Sequence, residues 1–208
     1  MFNMHFAITE FDKALRVVAG ISAATKQSPA GNLVEGVLSD AERRHSAALM
    51  RVNQVGEVCA QALYQSQSHR AQDREIAHQF DSAAQEEQNH LSWTTQRLSE
   101  LGSRPSLLNP VWYVASYGLG TLAGRLGDAT SLGFVVETEH QVEAHLTSHL
   151  HLLPQQDVKS RAIVEQMRLD EAAHGQHARE LGAGALPLPL KLAMRAMSKT
   201  MTTLAYYV

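Results

Sequence analysis

Ile76, Phe80, Ala83, Glu87, His90, Leu91, Thr94, Leu98 and Leu101 recur at helical spacing and share one helix face. Most of that face is apolar and belongs in a core, yet it carries a carboxylate and an imidazole. A buried charge is costly unless it is paired or bound to a metal. The fold of this chain must therefore bring compensating groups to Glu87 and His90. A second stripe repeats the pattern: Ile163, Met167, Glu171, His174, Ala178, Leu181. Two further stripes carry one lone acid each. They are Met50, Asn53, Glu57, Ala60, Tyr64 and Val135, Glu139, Val142, Leu146, Leu150, Leu153.

Strand signals are nearly absent, and the 208 residues suffice for one domain with a real core. An N-terminal amphipathic helix is expected, with Ile8, Phe11, Leu15 and Val18 on one face and a capping pattern at Thr9 and Asp12. A polar connector over about 20–38 completes an N-terminal segment, 1–38. Residues 39–208 are read as the functional domain. Ser39 and Asp40 cap a helix running to about Arg70, and a second runs from about Asp73 to Leu101. Asn109 and Pro110 open a glycine-rich helix to about Gly127. Asp128 caps a helix ending before Pro154, another spans about Asp157–Leu181, and the last spans about Leu190–Tyr206. The expected fold is all-α: an antiparallel four-helix bundle made of two helical hairpins. The glycine-rich, apolar helix is its crossover, and amphipathic helices flank it.

Spacing sets the heights of the inward acids. Glu57 lies 13 residues from Arg70, and Glu87 lies 14 from Asp73. At 1.5 Å per residue both are ~20 Å from their shared turn. Glu139 and Glu171 are each 14 residues from the ends of their own turn, Leu153 and Asp157. If the halves pack about a pseudo-twofold axis, six side chains meet mid-bundle.

Glu-x-x-His occurs five times: Glu42/His45, Glu75/His78, Glu87/His90, Glu137/His140 and Glu171/His174. Glu75 and His78 run with Gln79, Ser82 and Glu86 on a polar face and read as solvated. Glu42 suits a helix start. Only Glu87/His90 and Glu171/His174 lie on apolar stripes. Four buried carboxylates cannot all stay charged alone, and two divalent cations would neutralise them. Four Glu and two His suit iron or manganese better than zinc. The candidate metal ligands are Glu57, Glu87, His90, Glu139, Glu171 and His174. Glu137 and Glu143 compete with Glu139 for its place, and Glu143, His145 and Asp170 are candidates to orient the ligands by hydrogen bonding.

A net charge of −3 argues against general nucleic-acid binding. Cys59 is the single cysteine, so no intramolecular disulfide forms. No segment reads as a secretory or transit peptide, and none is apolar for long enough to span a membrane. Two segments suit a lipid surface instead. In the crossover, Ser116, Gly120 and Gly124 form a ridge for close packing, while Trp112, Tyr113 and Leu119 offer apolar surface. In the last helix, Leu190, Met194, Met197, Met201 and Leu204 share one face, and Lys191, Arg195 and Lys199 another.

The segments RVNQVGEVCAQALYQSQ, EEQNHL, ETEHQVEAHL and DEAAHGQHA together resemble the demethoxyubiquinone hydroxylase family of ubiquinone biosynthesis, over about residues 40–208. The resemblance implies a ferritin-like di-iron monooxygenase that uses O2 to hydroxylate the ring of a polyprenyl demethoxyubiquinol. It implies two iron ions per chain, held by Glu57, Glu87, His90, Glu139, Glu171 and His174, which favours Glu139 over Glu137. His145 matches a family histidine near the site. Gln54 stands where relatives often carry His, and Leu146 where eukaryotic members carry Tyr. A peripheral place on the cytoplasmic face of a bacterial inner membrane is implied, as are homo-oligomers and contacts with other ubiquinone-biosynthesis proteins. No flavin or nicotinamide fingerprint occurs, so electrons come from outside the chain or from the quinol. The rival readings are an iron-storage ferritin-like protein, a metal-free lipid-binding scaffold, and a di-iron oxygenase acting on another lipid.

Overall fold

The computed structural model describes residues 4–22 and 24–208. Among these are seven α-helices and no strand: α1 (Met4–Val18), α2 (Asp40–Ser68), α3 (Arg74–Glu100), α4 (Asn109–Arg125), α5 (Asp128–Leu152), α6 (Val158–Glu180) and α7 (Leu188–Tyr207). α2 packs along α3 and α5 along α6, and the two hairpins join through α3 against α6 and α2 against α5. This is the expected four-helix bundle with α4 as the crossover.

Local chemistry sets the helix ends. Ser39 and Glu42 form a reciprocal capping box at the start of α2. The Asp73 carboxylate accepts from the Glu75 and Ile76 N–H groups, and Asp157 accepts from Ser160 N–H at 2.9 Å. Asp128 acts differently from expectation. The N-cap of α5 is Gly127 at φ 99°, a conformation that suits glycine. The Asp128 carboxylate instead accepts the Gln72 and Asp73 N–H groups, tying the start of α5 to the α2–α3 turn. Thr9 is no cap either. It lies within α1, where its hydroxyl donates to the His5 carbonyl at 3.0 Å, and Asp12 pairs with Arg16.

Two apolar layers enclose the middle of the bundle. One contains Met50, Trp93, Leu98, Leu146, Ile163 and Met167; the other contains Tyr64, Ile76, Phe80, Leu132, Val135 and Ala178. On α2, α3 and α6 the two sets fall on opposite sides of Glu57, Glu87 and Glu171 in sequence. The carboxylates therefore occupy a polar layer between two dry ones.

The ridge of α4 packs as read, with Ser116, Gly120 and Gly124 buried. A Cβ on Gly120 would lie 2.9 Å from the Leu63 carbonyl oxygen and closer still to the Ser66 hydroxyl. Gly120→Val is expected to destabilise the fold by about 3 kcal/mol, measured by urea unfolding, because neither backbone nor hydroxyl can give way. The outward face of α4 differs from expectation. Tyr113 is buried and Trp112 and Leu119 are half-buried, while Val111, Val114, Leu122 and Leu126 are exposed. Close approach along the glycine ridge turns the larger aromatics inward. In α7, Met194 is buried, and Lys191 and Arg195 face Glu137 of α5 at 3.1 and 3.8 Å. Part of the basic face thus docks α7 on the bundle.

The connector wraps α3. The Thr25 and Lys26 N–H groups both donate to Asn89 Oδ1, and Trp93 Nε1 donates to the Lys26 carbonyl. Trp93 also packs against the His90 ring, with centroids 5.4 Å apart.

Candidate metal centre

All six residues on the inward stripes converge. Glu57, Glu87, His90 and Glu171 form one group, and Glu87, Glu139, Glu171 and His174 form another; each group has ligand atoms within 4.8 Å of one another. All six are buried. Glu87 and Glu171 belong to both groups, while Glu57 with His90 and Glu139 with His174 complete one group each. His90 Nδ1 lies 3.1 Å from Glu87 Oε2 and 3.5 Å from oxygens of Glu57 and Glu171. His174 Nδ1 lies 3.3 Å from both Glu87 Oε1 and Glu171 Oε2.

Each imidazole is held from behind by a carboxylate of the other hairpin. His90 Nε2 meets Asp170 Oδ2 at 3.0 Å, and His174 Nε2 meets Glu86 Oε2 at 2.8 Å. With Nε2–H donating outward, each Nδ1 lone pair points at the oxygen cluster. Tyr64 donates to Glu139 Oε1 at 2.5 Å. A Cβ on Gly175 would meet the Glu139 Cβ at 3.3 Å, so this glycine lets α5 bring Glu139 close to α6.

Asp170 therefore stands where the sequence placed it, in contact with a metal-ligand candidate. Glu86 differs from the sequence expectation of a solvated residue, because its carboxylate meets His174 Nε2. Its signal was present: it precedes Glu87 as Asp170 precedes Glu171. Glu143 has no hydrogen bond to the six; it lies 3.9 Å from Arg168. His145 packs against His149 with the rings tilted by 58° and centroids 3.9 Å apart, beside a cleft of about 770 Å³ that His45 and Lys199 also line. Burial, then the nearby Lys199 charge, pushes its imidazole down to about 4. Glu137 pairs with α7 and takes no part in either group. Gln54 accepts from Asn109 at 3.0 Å and so holds the start of α4, and Leu146 fills the core.

The donor set fits a pair of divalent cations. Glu57 Oε2 and Glu87 Oε1 are buried without a hydrogen-bond partner. Without cations, protons balance the charge. Burial, then Glu87, holds the Glu57 carboxyl well above its usual range; burial, then Glu171 and Glu87, does the same to Glu139. Burial opposes charge on His90, but Glu87, Asp170 and Glu171 outweigh it and raise the imidazole. His174 is raised by Glu171, Glu86 and Glu87, again against burial. Burial is overcome in the opposite sense at Glu87 and Glu171, which the imidazoles hold low.

In the cation-free box these directions favour protons on Glu57, Glu139, His90 and His174. Cation binding is therefore expected to release protons. Affinity should rise with pH and fall as pH drops. Calorimetric titration in buffers of different ionisation enthalpy measures that release directly.

Residues 44–205 match the family described as ubiquinone biosynthesis protein COQ7. The chain belongs to that family. A COQ7-family relative from Herminiimonas arsenicoxydans, named 3-demethoxyubiquinol 3-hydroxylase, is 62% identical over 201 residues, covering 97% of this chain and 95% of the relative. One from Herbaspirillum seropedicae with the same name is 58% identical, covering 97% of each. These alignments reach into the N-terminal segment, beyond the motifs that carried the resemblance. Among solved structures, a dodecameric thioferritin, the bacterioferritin-related protein of Bacteroides fragilis, aligns with a TM-score of 0.56 at 15% identity. It covers 76% of this chain and 90% of that one, and identifies the fold as ferritin-like.

Proposed function

We propose that this chain is a di-iron 3-demethoxyubiquinol 3-hydroxylase, acting on a polyprenyl benzoquinol with O2. The observation that carries the reading is a cavity of about 440 Å³ between α2, α4, α5 and α7, whose lining includes Glu57, Glu139 and Glu171. The rest of its wall is largely apolar, with Leu63, Trp112, Leu119, Phe134, Met194 and Met197. Such a cavity suits a substituted ring and the first part of a prenyl tail. Full-length relatives of the same name support the substrate.

Glu87 and Glu171 would hold both irons, with Glu57 and His90 at one end and Glu139 and His174 at the other. When bound, the iron pair supplies the reductive activation of O2 that ring hydroxylation needs. The chain's own residues do the rest. Asp170 and Glu86 fix the imidazole tautomers. The phenol of Tyr64, kept protonated by burial and the surrounding carboxylates, holds Glu139 by donating to it. The apolar wall keeps water from the ring and presents it to the carboxylate layer.

A polyprenyl substrate requires contact with lipid. No described helix is long and apolar enough to cross a membrane. In support of peripheral binding, Met4, Ile8, Phe11 and Leu15 of α1 are all more than half exposed, as are Val111, Val114 and Leu122 of α4. α1 packs against α4, which brings the two apolar faces into one region of the surface. We place the protein on the cytoplasmic face of a bacterial inner membrane. Flotation with anionic liposomes at low salt should carry the protein up, and failure to float would defeat the membrane reading. Quinone profiling tests the activity. A strain lacking this protein should accumulate demethoxyubiquinone and recover ubiquinone when the gene is restored; an unchanged profile would refute the assignment.

A further inference from the structure

Six glycines lie within the described helices: Gly56, Gly118, Gly120, Gly124, Gly133 and Gly175. A mid-helix glycine costs about 1 kcal/mol against alanine, so each needs a reason. Four have one in packing. A Cβ on Gly120, Gly124, Gly133 or Gly175 would crowd Ser66, Arg70, Gly184 or Glu139 respectively. Gly56 and Gly118 have none, because a Cβ at either position meets nothing within 4 Å. Gly118 is exposed on the outer side of α4. Gly56 is different. It precedes Glu57 inside α2, its backbone φ is not positive, and it lines the apolar cavity together with Glu57 and Ala60. Neither backbone geometry nor packing of the protein against itself requires glycine there.

We propose that Gly56 is a specificity-determining residue: the space left by its missing side chain receives a ring substituent of the quinol as the ring lies beside Glu57. The proposal rests on the reading of this cavity as the substrate site. It accounts for a glycine that weakens a long helix without serving the fold. It also predicts where selectivity among ring substituents is set. Ala60, one helical turn further along the same wall, keeps the neighbouring stretch of α2 low. A single added methyl in a fitted pocket changes discrimination by about 10- to 200-fold.

The test compares Gly56→Ala with Gly118→Ala in the iron-loaded enzyme. Both should raise the melting temperature by about 2–4 °C, since both replace a mid-helix glycine in open space. Both should retain iron. With a detergent-dispersed quinol, which takes the exposed α4 face out of the assay, Gly118→Ala should leave the kinetics unchanged. Gly56→Ala should raise KM for the methoxy-bearing quinol on the order of tenfold or more, with a smaller change for an analogue lacking that substituent. A Gly56→Ala enzyme with parental KM and selectivity overturns the proposal. So does loss of iron, which would make Gly56 part of the metal box. Leu119→Trp, which fills the cavity from the α4 wall, separates this from the parent reading. If Leu119→Trp blocks turnover while Gly56→Ala is neutral, only the role of Gly56 falls. If both leave turnover untouched, the cavity is not the substrate site.

Discussion

Glu171→Ala is expected to give a folded protein that holds no iron pair and forms no hydroxylated quinol. Glu171 belongs to both ligand groups, so its loss removes a ligand from each cation at once. The same change deprives both imidazoles of a carboxylate neighbour, since Glu171 approaches His90 Nδ1 at 3.5 Å and His174 Nδ1 at 3.3 Å. With three carboxylates left, two divalent cations would no longer be neutralised in a buried layer. Activity should fall below about one thousandth of the parent, as expected when the metal that does the chemistry is lost. Iron content and product formation are measured together, with circular dichroism to confirm the helices. Retention of two irons per chain would sink the assignment. Two comparisons calibrate the result. Glu86→Ala removes the acceptor behind His174, along with an exposed pairing to Lys26, and should cost about 10–100-fold in iron affinity or activity. Glu143→Ala, on the rim beside Arg168, should change stability by less than about 0.5 kcal/mol and leave activity alone.

The convergence of the six candidate ligands was legible because each breaks an apolar stripe at a height that the turns define. Stripe analysis asks which face of a helix is inside, and for a ligand that question suffices. It fails at the rim. Glu86 shares the face of Glu75 and His78 and is partly exposed, yet an imidazole from α6 reaches out to it. A helix read alone cannot show what its neighbour extends. Charge pairing across helices was invisible for the same reason. Glu137, a competitor of Glu139 in the sequence, is buried beneath Lys191 and Arg195. Local signals misled where a stronger tertiary demand existed: Asp128 looks like a cap and serves a different turn. Trp93 packs on His90 and anchors the connector through its indole N–H.

Arg97→Ala is expected to be the most destabilising single change outside the metal box, by about 3–5 kcal/mol. Arg97 is 2% exposed near the end of α3. Its Nε donates to Ser160 Oγ at 2.9 Å, Nη1 to Glu100 at 2.9 Å, and Nη2 to Asp157 at 2.9 Å and to Glu35. One guanidinium thus joins the connector, α3 and the start of α6. Lysine cannot replace it, because a single ammonium lacks the planar fork that reaches all four partners. The larger cost comes from what is left behind. Asp157 is fully buried, and its Oδ2 already lacks a hydrogen-bond partner. Without Arg97 it keeps the Ser160 N–H but loses the cation that faces it at 2.9 Å. Burial pushes the Asp157 carboxyl up, but Ser46, Ser160 and Arg97 together hold it below its ordinary value. A lowered folded-state value contributes stability above the unfolded one, and that contribution disappears as pH falls. The deficit of Arg97→Ala should therefore be largest at neutral pH and shrink below about pH 4, where Asp157 takes up a proton in the variant before it does in the parent. Urea unfolding across that range distinguishes this from a simple cavity, whose cost does not depend on pH. The double variant Arg97→Met/Asp157→Asn, which removes both charges, should recover part of the loss.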